Sequence, residues 1–461
     1  MEIEHINTSE ILSYKSTDLT IVGLKKLIRS EPSSELDLLS EVIRGEANSF
    51  RTSMEKALEN RKQEEWSLEQ NKLDEWIESD EGKETTSHLA SACINLITDD
   101  SYNGPPAHDK SHYLKDLYSG LIAIQEDHYR PWEKTAAIIG SLMHDFGKTL
   151  EVPLGGKHST GVDAKLHADV GYFLVERLIK SYGNMPQALA DQILYAIVTH
   201  QEGKSQERVA QLVQRADREQ LVGIEAVRRM FIVDAGLEHR TISTPIETIR
   251  NNELALPAKP EDTSLFHHIE FYMRNLYPQI GSAGSARAED LKVEGGIFLW
   301  LSSPEDVRKQ IFAPEYAREE SEKNGQQFNQ GENKFKKVLD KDTWRKIKDG
   351  PDNLDKEMMN QYKNVPIEEL LEKFVARKNT NLKWKTEREK EEEDVVKNLR
   401  KQIINLTEEE KRLLHTGLTF AMVRIEKQES EMVKGSRLIS QNTIHGSVEN
   451  QISNLIVNRY S

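Results

Sequence analysis

At 461 residues, with 37% hydrophobic and 30% charged residues and a net charge of −15, the chain is strongly hydrated but can still bury at least one core. It is too long for one compact helical domain, so roughly two to four units are expected. The acidic balance argues against a general nucleic-acid coat, because phosphate contacts need Lys and Arg, and a local basic patch would be the only route to nucleic acid. The lone cysteine, Cys93, excludes an internal disulfide framework and a cysteine-based zinc site, and fits a reducing, cytoplasmic setting. MEIEHINTSE has neither a basic n-region nor an apolar h-region, so no signal peptide is expected. No apolar run approaches the roughly 20 residues of a membrane span, so no membrane association is expected.

Residues 1–104 read as a helical accessory region. LTIVGLKKLI (19–28) and LDLLSEVI (36–43) are amphipathic, and 54–80 is charged with spaced tryptophans, Trp66 and Trp76. SYNGPPAHDK (101–110) is a loop, because Gly104, Pro105 and Pro106 break a helix. Residues 111–240 are the most consistently apolar part, and 105–240 predict an all-helical core. Within it, WEKTAAIIGSLMHD (132–145) is apolar on nearly every face, which means a buried helix. Gly155, Gly156 and Gly161 mark 151–165 as an exposed loop.

Residues 241–315 predict a small mixed α+β unit. GGIFLWLS (295–302), short, bulky and bounded by glycines, is expected as a strand. Ser303-Pro304-Glu305-Asp306 follows as a helix start, with a cap and a proline in the first turn. Residues 316–461 read as a charged helical C-terminal region. Its first part, 316–394, is poor in apolar pattern and expected to be weakly packed, with NGQQFNQGEN (324–333) flexible. Helices return from Asp394, with a capping signal at Thr407 and Glu410. The predicted fold class is mainly α: an all-helical core with helical N- and C-terminal extensions and the mixed unit.

Polar clusters recur on the central helices. MHDFGK (143–148) ends the apolar helix with His144 and Asp145. Burying both costs several kcal/mol unless each has a partner, and a metal ion takes the imidazole nitrogen and the carboxylate oxygen together. In LHADVGYFLVERL (166–178), His167 shares a face with Gly171, Leu174 and Leu178. In ILYAIVTHQEG (193–203), His200 shares one with Ile193 and Ile197. In RVAQLVQRAD (208–217), Asp217 continues the stripe of Val209, Leu212, Val213 and Ala216. A lone histidine on an apolar face is ordinarily a hydrogen-bonded core residue, and a lone aspartate at a helix end a cap. Three histidines and two aspartates on inward faces of consecutive helices exceed what a bland core needs, and point to metal binding.

The order H…HD…H…H…D on successive helices resembles the HD superfamily of metal-dependent phosphohydrolases. AAIIGSLMHDFGK resembles its signature helix and LVQRAD its closing aspartate motif; the resemblance covers roughly 108–220. It implies a first histidine, best matched by His112 in HYLKDLYSGLI, with His108 and His128 as fallbacks. Asp116, at i+4 from His112, departs from the family's habit of apolar residues on that face, and the stripe Leu114, Leu117, Leu121 lies on the other side. The resemblance also puts Lys148 near the metals to steady a substrate phosphate, against the plain alternative of a solvated lysine. His158 would be a lid residue or simply exposed.

The nitrogen and oxygen ligands suit Mn, Fe, Co, Ni, Zn or Mg, one ion or two. His112, His144, Asp145 and Asp217 would serve one metal, and His167 and His200 a second, with Asp145 bridging. Two ions about 3.5–4 Å apart activate a water and stabilise a leaving oxygen. The expected enzyme is therefore a hydrolase of phosphoester or phosphoanhydride bonds in a phosphorylated small molecule, nucleotide, dinucleotide or nucleic-acid-derived substrate, with Asp145 and Lys148 catalytic. A protein partner would use the charged C-terminal region. Three alternatives stay open: a single-strand-specific HD nuclease, an HD-fold di-iron oxygenase, and a non-catalytic regulatory HD protein. No GYP triplet follows the HD pair, which counts against the cyclic-di-GMP type, and His200-Gln201 stands where the related CRISPR-associated nucleases usually pair two histidines.

Overall fold

The computed structural model of the chain describes residues 33–98, 110–126, 128–148, 166–202, 205–237, 241–242, 265–275, 286–329, 338–354, 356–375, 387–443 and 445–461. The run 19–28, the loop residues 101–109 with His108, the loop 151–165 with His158, and 330–333 of the 324–333 stretch lie outside them. Every regular element among the described residues is helical, so the chain is mainly α. None of these helices is long and apolar enough to cross a membrane. Contacts divide the chain into a first unit, 1–217 with 432–461, and a second, 218–431.

The first unit holds α1 (Ser33–Glu59), α2 (Gln63–Glu78), α3 (Asp80–Thr98), α4 (Lys110–Glu126), α5 (Pro131–Met143), α6 (Leu166–Tyr182) and α7 (Gln187–Thr199). It also holds α8 (Arg208–Glu219) as far as Asp217. At its centre α5 is buried along its length, from Trp132 to Met143, apart from Lys134, as its nearly uniform apolarity predicts. Pro131 sits in the first turn, where its missing N–H costs nothing. The backbone N–H of Arg130 donates to Glu133 Oε2 at 2.9 Å, and that of Trp132 to Asp74 Oδ1 of α2 at 3.1 Å. Helices α4 and α7 pack against α5, and α6 against α7. Each fully buried Ile, Leu or Phe here contributes about 1.5–3 kcal/mol. Helix α1 lies against α6 and α7, with Leu39, Ile43, Ala47 and Met54 buried at helical spacing.

The second unit holds α9 (Ile224–Met230), continued by a π-helical segment at Phe231–Leu237, then α10 (Leu265–Asn275), α11 (Ala286–Ser302), α12 (Glu305–Ile311) and α13 (Ala313–Lys323). Beyond these come α14 (Lys341–Asp349), α15 (Lys356–Asn360), α16 (Ile367–Val375), α17 (Glu387–Ile404) and most of α18 (Glu408–Asn442). The end of α18 and α19 (Val448–Tyr460) belong to the first unit. Thr407 and Glu410 form the reciprocal cap at the start of α18: the N–H of Thr407 donates to Glu410 Oε2 at 2.8 Å, and the N–H of Glu410 to Thr407 Oγ1 at 3.2 Å.

Two expectations are corrected in this unit. Residues 295–302 are not a strand but the end of α11, and no strand occurs among the described residues. The glycines that look like strand boundaries are contact points. A Cβ on Gly295 would stand 2.7 Å from the carbonyl oxygen of Val222, and one on Gly296 2.3 Å from Ile347 Cδ1. The run is apolar because the helix is buried there, which periodicity alone cannot tell from a buried strand. Nor is 316–394 uniformly loose: Trp344 and Ile347 of α14, and Leu370, Leu371 and Phe374 of α16, are buried. Their few apolar residues share one helical face, so a low apolar count conceals an efficient stripe. Asn324–Gln327 and Asn329 are exposed.

Candidate metal centre

Five segments of the first unit converge. Helix α4 carries His112 and Asp116 one turn apart on one face. The turn after α5 carries His144 and Asp145, α6 opens with His167 in its first turn, His200 caps the C-terminal end of α7, and Asp217 lies near the end of α8. The turn after α5 runs against α6 backbone to backbone. A Cβ on Gly147 would stand 1.8 Å from the carbonyl oxygen of His167 and 2.8 Å from the nitrogen of Gly171. One on Gly171 would stand 3.4 Å from the carbonyl oxygen of His144. The glycines of HDFGK and H-x-x-x-G therefore let two ligand-bearing segments touch.

The ligand atoms form two groups: His112, Asp116, His144 and Asp217, and Asp145, His167 and His200. In the first, His112 Nε2 lies 3.1 Å from Asp116 Oδ2 and 4.0 Å from Asp217 Oδ1. His144 Nε2 lies 3.6 Å from Asp116 Oδ2 and 3.9 Å from Asp217 Oδ1. In the second, His167 Nε2 and His200 Nε2 are 3.1 Å apart, and stand 3.3 and 3.6 Å from Asp145 Oδ1. The other oxygen of that carboxylate, Oδ2, faces the first group, 3.5 Å from His112 Nε2 and 3.6 Å from His144 Nε2. Donors bound about 2.1 Å from one octahedral ion stand about 3 Å apart when adjacent and about 4.2 Å apart when opposite, so groups with these spacings could each hold a metal ion.

Burial makes the arrangement costly without a cation. His112, Asp116 and His167 are fully buried, and His144, Asp145 and His200 nearly so. His144 Nδ1 lies 2.8 Å from the carbonyl oxygen of Ser141, and His200 Nδ1 2.7 Å from that of Ile197. A carbonyl accepts only, so each Nδ1 donates its N–H, and Nε2 is the ring atom turned toward the carboxylates. His144 Nε2 is buried with no hydrogen-bond partner among the described residues. A cation placed between that nitrogen and the carboxylate oxygens would satisfy both, so these residues could hold a divalent ion. Such an imidazole–carbonyl bond is what orients metal-ligating histidines.

Burial, followed by the charge of Lys148, holds His167 well below the ordinary imidazole range, which keeps its ring neutral and able to ligate. Burial pushes Asp217 up, but His144, His200 and His112 together outweigh it and hold the carboxyl below its usual value.

All six sequence-selected ligands, His112, His144, Asp145, His167, His200 and Asp217, meet here. Lys148 is buried in the same turn, so it is not a solvated surface lysine, and its backbone N–H donates to the Asp145 carbonyl at 2.9 Å. His128, the fallback for His112, is exposed and outside both groups. Asp116 is the residue sequence reasoning missed. Its position at i+4 weighed against His112, whereas that spacing is what brings both side chains to one point. No family model, curated protein or solved structure matches the chain.

Proposed function

We propose that the first unit is a metal-dependent phosphohydrolase of the HD type, cleaving phosphoester or phosphoanhydride bonds in a nucleotide or other phosphorylated small molecule. The observation that carries the reading is the Asp145 carboxylate, whose two oxygens face two separate ligand groups. His112, Asp116, His144 and Asp217 would hold one divalent ion, His167 and His200 a second, with Asp145 shared. Bound there, divalent ions supply Lewis acidity and a water acidic enough to act as hydroxide near neutral pH. The chain's own part is to hold the ions close, to keep the His167 imidazole neutral, and to offer the Lys148 ammonium to a phosphate oxygen.

The test is metal analysis of purified protein and of Asp145→Ala, paired with a hydrolysis screen over nucleotides, dinucleotides and single-stranded oligonucleotides with added Mn(II). The expected outcome is bound divalent metal in the parent, sharp loss of metal and activity in the variant, and turnover of a small phosphorylated substrate. Full metal occupancy in Asp145→Ala would sink the site. Activity strictly dependent on iron and molecular oxygen would replace the hydrolase with an oxygenase, and cleavage confined to oligonucleotides would make it a nuclease.

A further inference from the structure

We propose that Arg51, on the N-terminal helix α1, is a positioning residue for the His167–His200 ligand pair; this rests on the metal-binding reading above. Its guanidinium spans the ends of two helices that carry those ligands. Nη2 donates to Asp169 Oδ1 at 3.1 Å and to the carbonyl oxygen of Val198 at 3.2 Å, and Nε pairs with Glu202 Oε1 at 3.0 Å. Asp169 is two residues past His167 in the first turn of α6. Val198 and Glu202 lie two residues on either side of His200, at the end of α7. Nη1 is held by Asn48 one turn back on α1.

Side chains two apart on a helix point to nearly opposite sides. Asp169 therefore faces α1 while His167 faces the metal centre. The two imidazoles meet on the inner side, Nε2 to Nε2 at 3.1 Å, and Arg51 ties the same two helix ends from the outer side. The charges fit the helix dipoles, with the Asp169 carboxylate at the N-terminal end of α6 and the Arg51 cation at the C-terminal end of α7. Planar and forked, a guanidinium can donate to acceptors on two segments while its charge pairs with Glu202, which an ammonium cannot do with the same geometry. Helix α1 docks on α6 elsewhere too: Phe50 stacks on Tyr172, and Arg177 pairs with Glu46 at 3.3 Å. Those contacts hold α1 in place without touching the ligand-bearing helix ends.

The experiment titrates EDTA-treated full-length protein with Mn(II), counting free ion by its EPR signal, in the parent, Arg51→Ala, Arg51→Lys, Glu202→Gln and Arg177→Ala. The parent is expected to bind two ions. Arg51→Ala should weaken one of them roughly 10-fold or more, the scale on which supporting groups act on metal sites, and leave the other unchanged. Arg51→Lys should recover part of that loss, and Arg177→Ala should bind as the parent does. Should Arg51→Ala not fold, Glu202→Gln gives the same reading through a smaller weakening of one ion. Parent-like binding in both Arg51→Ala and Glu202→Gln would overturn the inference, and so would equal weakening in Arg51→Ala and Arg177→Ala. A parent that binds no Mn(II) would overturn the metal-binding reading itself, and this inference with it.

Discussion

Gly147→Ala tests how the centre is built, because it adds one methyl group where two backbones touch. The new Cβ would stand 1.8 Å from the carbonyl oxygen of His167, 2.7 Å from its carbon and 2.8 Å from the nitrogen of Gly171. Backbone atoms cannot rotate away as a side-chain tip can. Reaching even a tight 3.0 Å requires the turn and α6 to part by about 1.2 Å. Overpacking of this kind costs about 3 kcal/mol or more. For a unit of this size that corresponds to a fall in Tm of roughly 6–12 °C. The turn also carries His144 and Asp145, and ligand sets tolerate about 0.5 Å of misplacement, so metal affinity should fall at least about 10-fold. Gly120→Ala is the control: its Cβ would meet Ser141 Oγ at an ordinary 3.5 Å in the interior of α4, so stability should hold or rise by about 0.5–1 kcal/mol. Thermal melts and Mn(II) binding read both variants. A Gly147→Ala protein that melts within about 2 °C of the parent and binds metal as tightly would refute the backbone contact and the assembly argued from it.

Asp116→Ala should weaken the ion held by His112, His144 and Asp217 by roughly 10–100-fold, sparing the ion at His167 and His200, as Mn(II) titration would show. Equal loss of both ions, or of neither, would remove Asp116 from the ligand set. The metal-free protein should also lose stability in mild acid. Burial, then Lys148, depresses the folded pKa of His167 below its ordinary 6.5, so the unfolded imidazole takes up a proton first as pH falls. That contribution is fully present above about 6.5 and declines below it. Melts of EDTA-treated protein between about pH 7.5 and 5 should show the decline, reduced in His167→Gln; identical slopes in the two proteins would contradict the assignment.

How much the sequence discloses depends on how local the determining physics is. Helix α5 is legible because nearly every residue from Trp132 to Met143 is apolar or small, and no exposed helix could be so. His144, Asp145, His167, His200 and Asp217 are legible because each interrupts or ends an apolar face. Asp116 is not, because α4 is buried around its whole circumference from His112 to Leu121. No single stripe then marks the inward side, and a charge at i+4 looks like a solvent face. The strand expected at 295–302 fails for a related reason: a short bulky run records burial, and its glycines record the approach of Val222 and Ile347, which lie far away in sequence. Arg51 is beyond any local reading, since its partners on α6 and α7 are more than a hundred residues further along the chain.

His144 and His200 show why two of the ligands sit where pattern finds them. Each is the C-terminal cap of a buried apolar helix, α5 and α7 respectively. The last carbonyls of a helix lack intrahelical donors, and burial of that end makes the deficit costly. In both places the histidine side chain adds a donor, its Nδ1–H meeting the carbonyl three residues back, at Ser141 and at Ile197, the latter also reached by the backbone N–H of His200 at 3.5 Å. The same bond fixes the ring tautomer and aims Nε2 away from the helix, toward Asp145. One hydrogen bond thus satisfies the helix end and orients the ligand. A histidine closing a buried apolar helix can therefore cap the helix end and turn its Nε2 to a carboxylate cluster, as both do at Asp145.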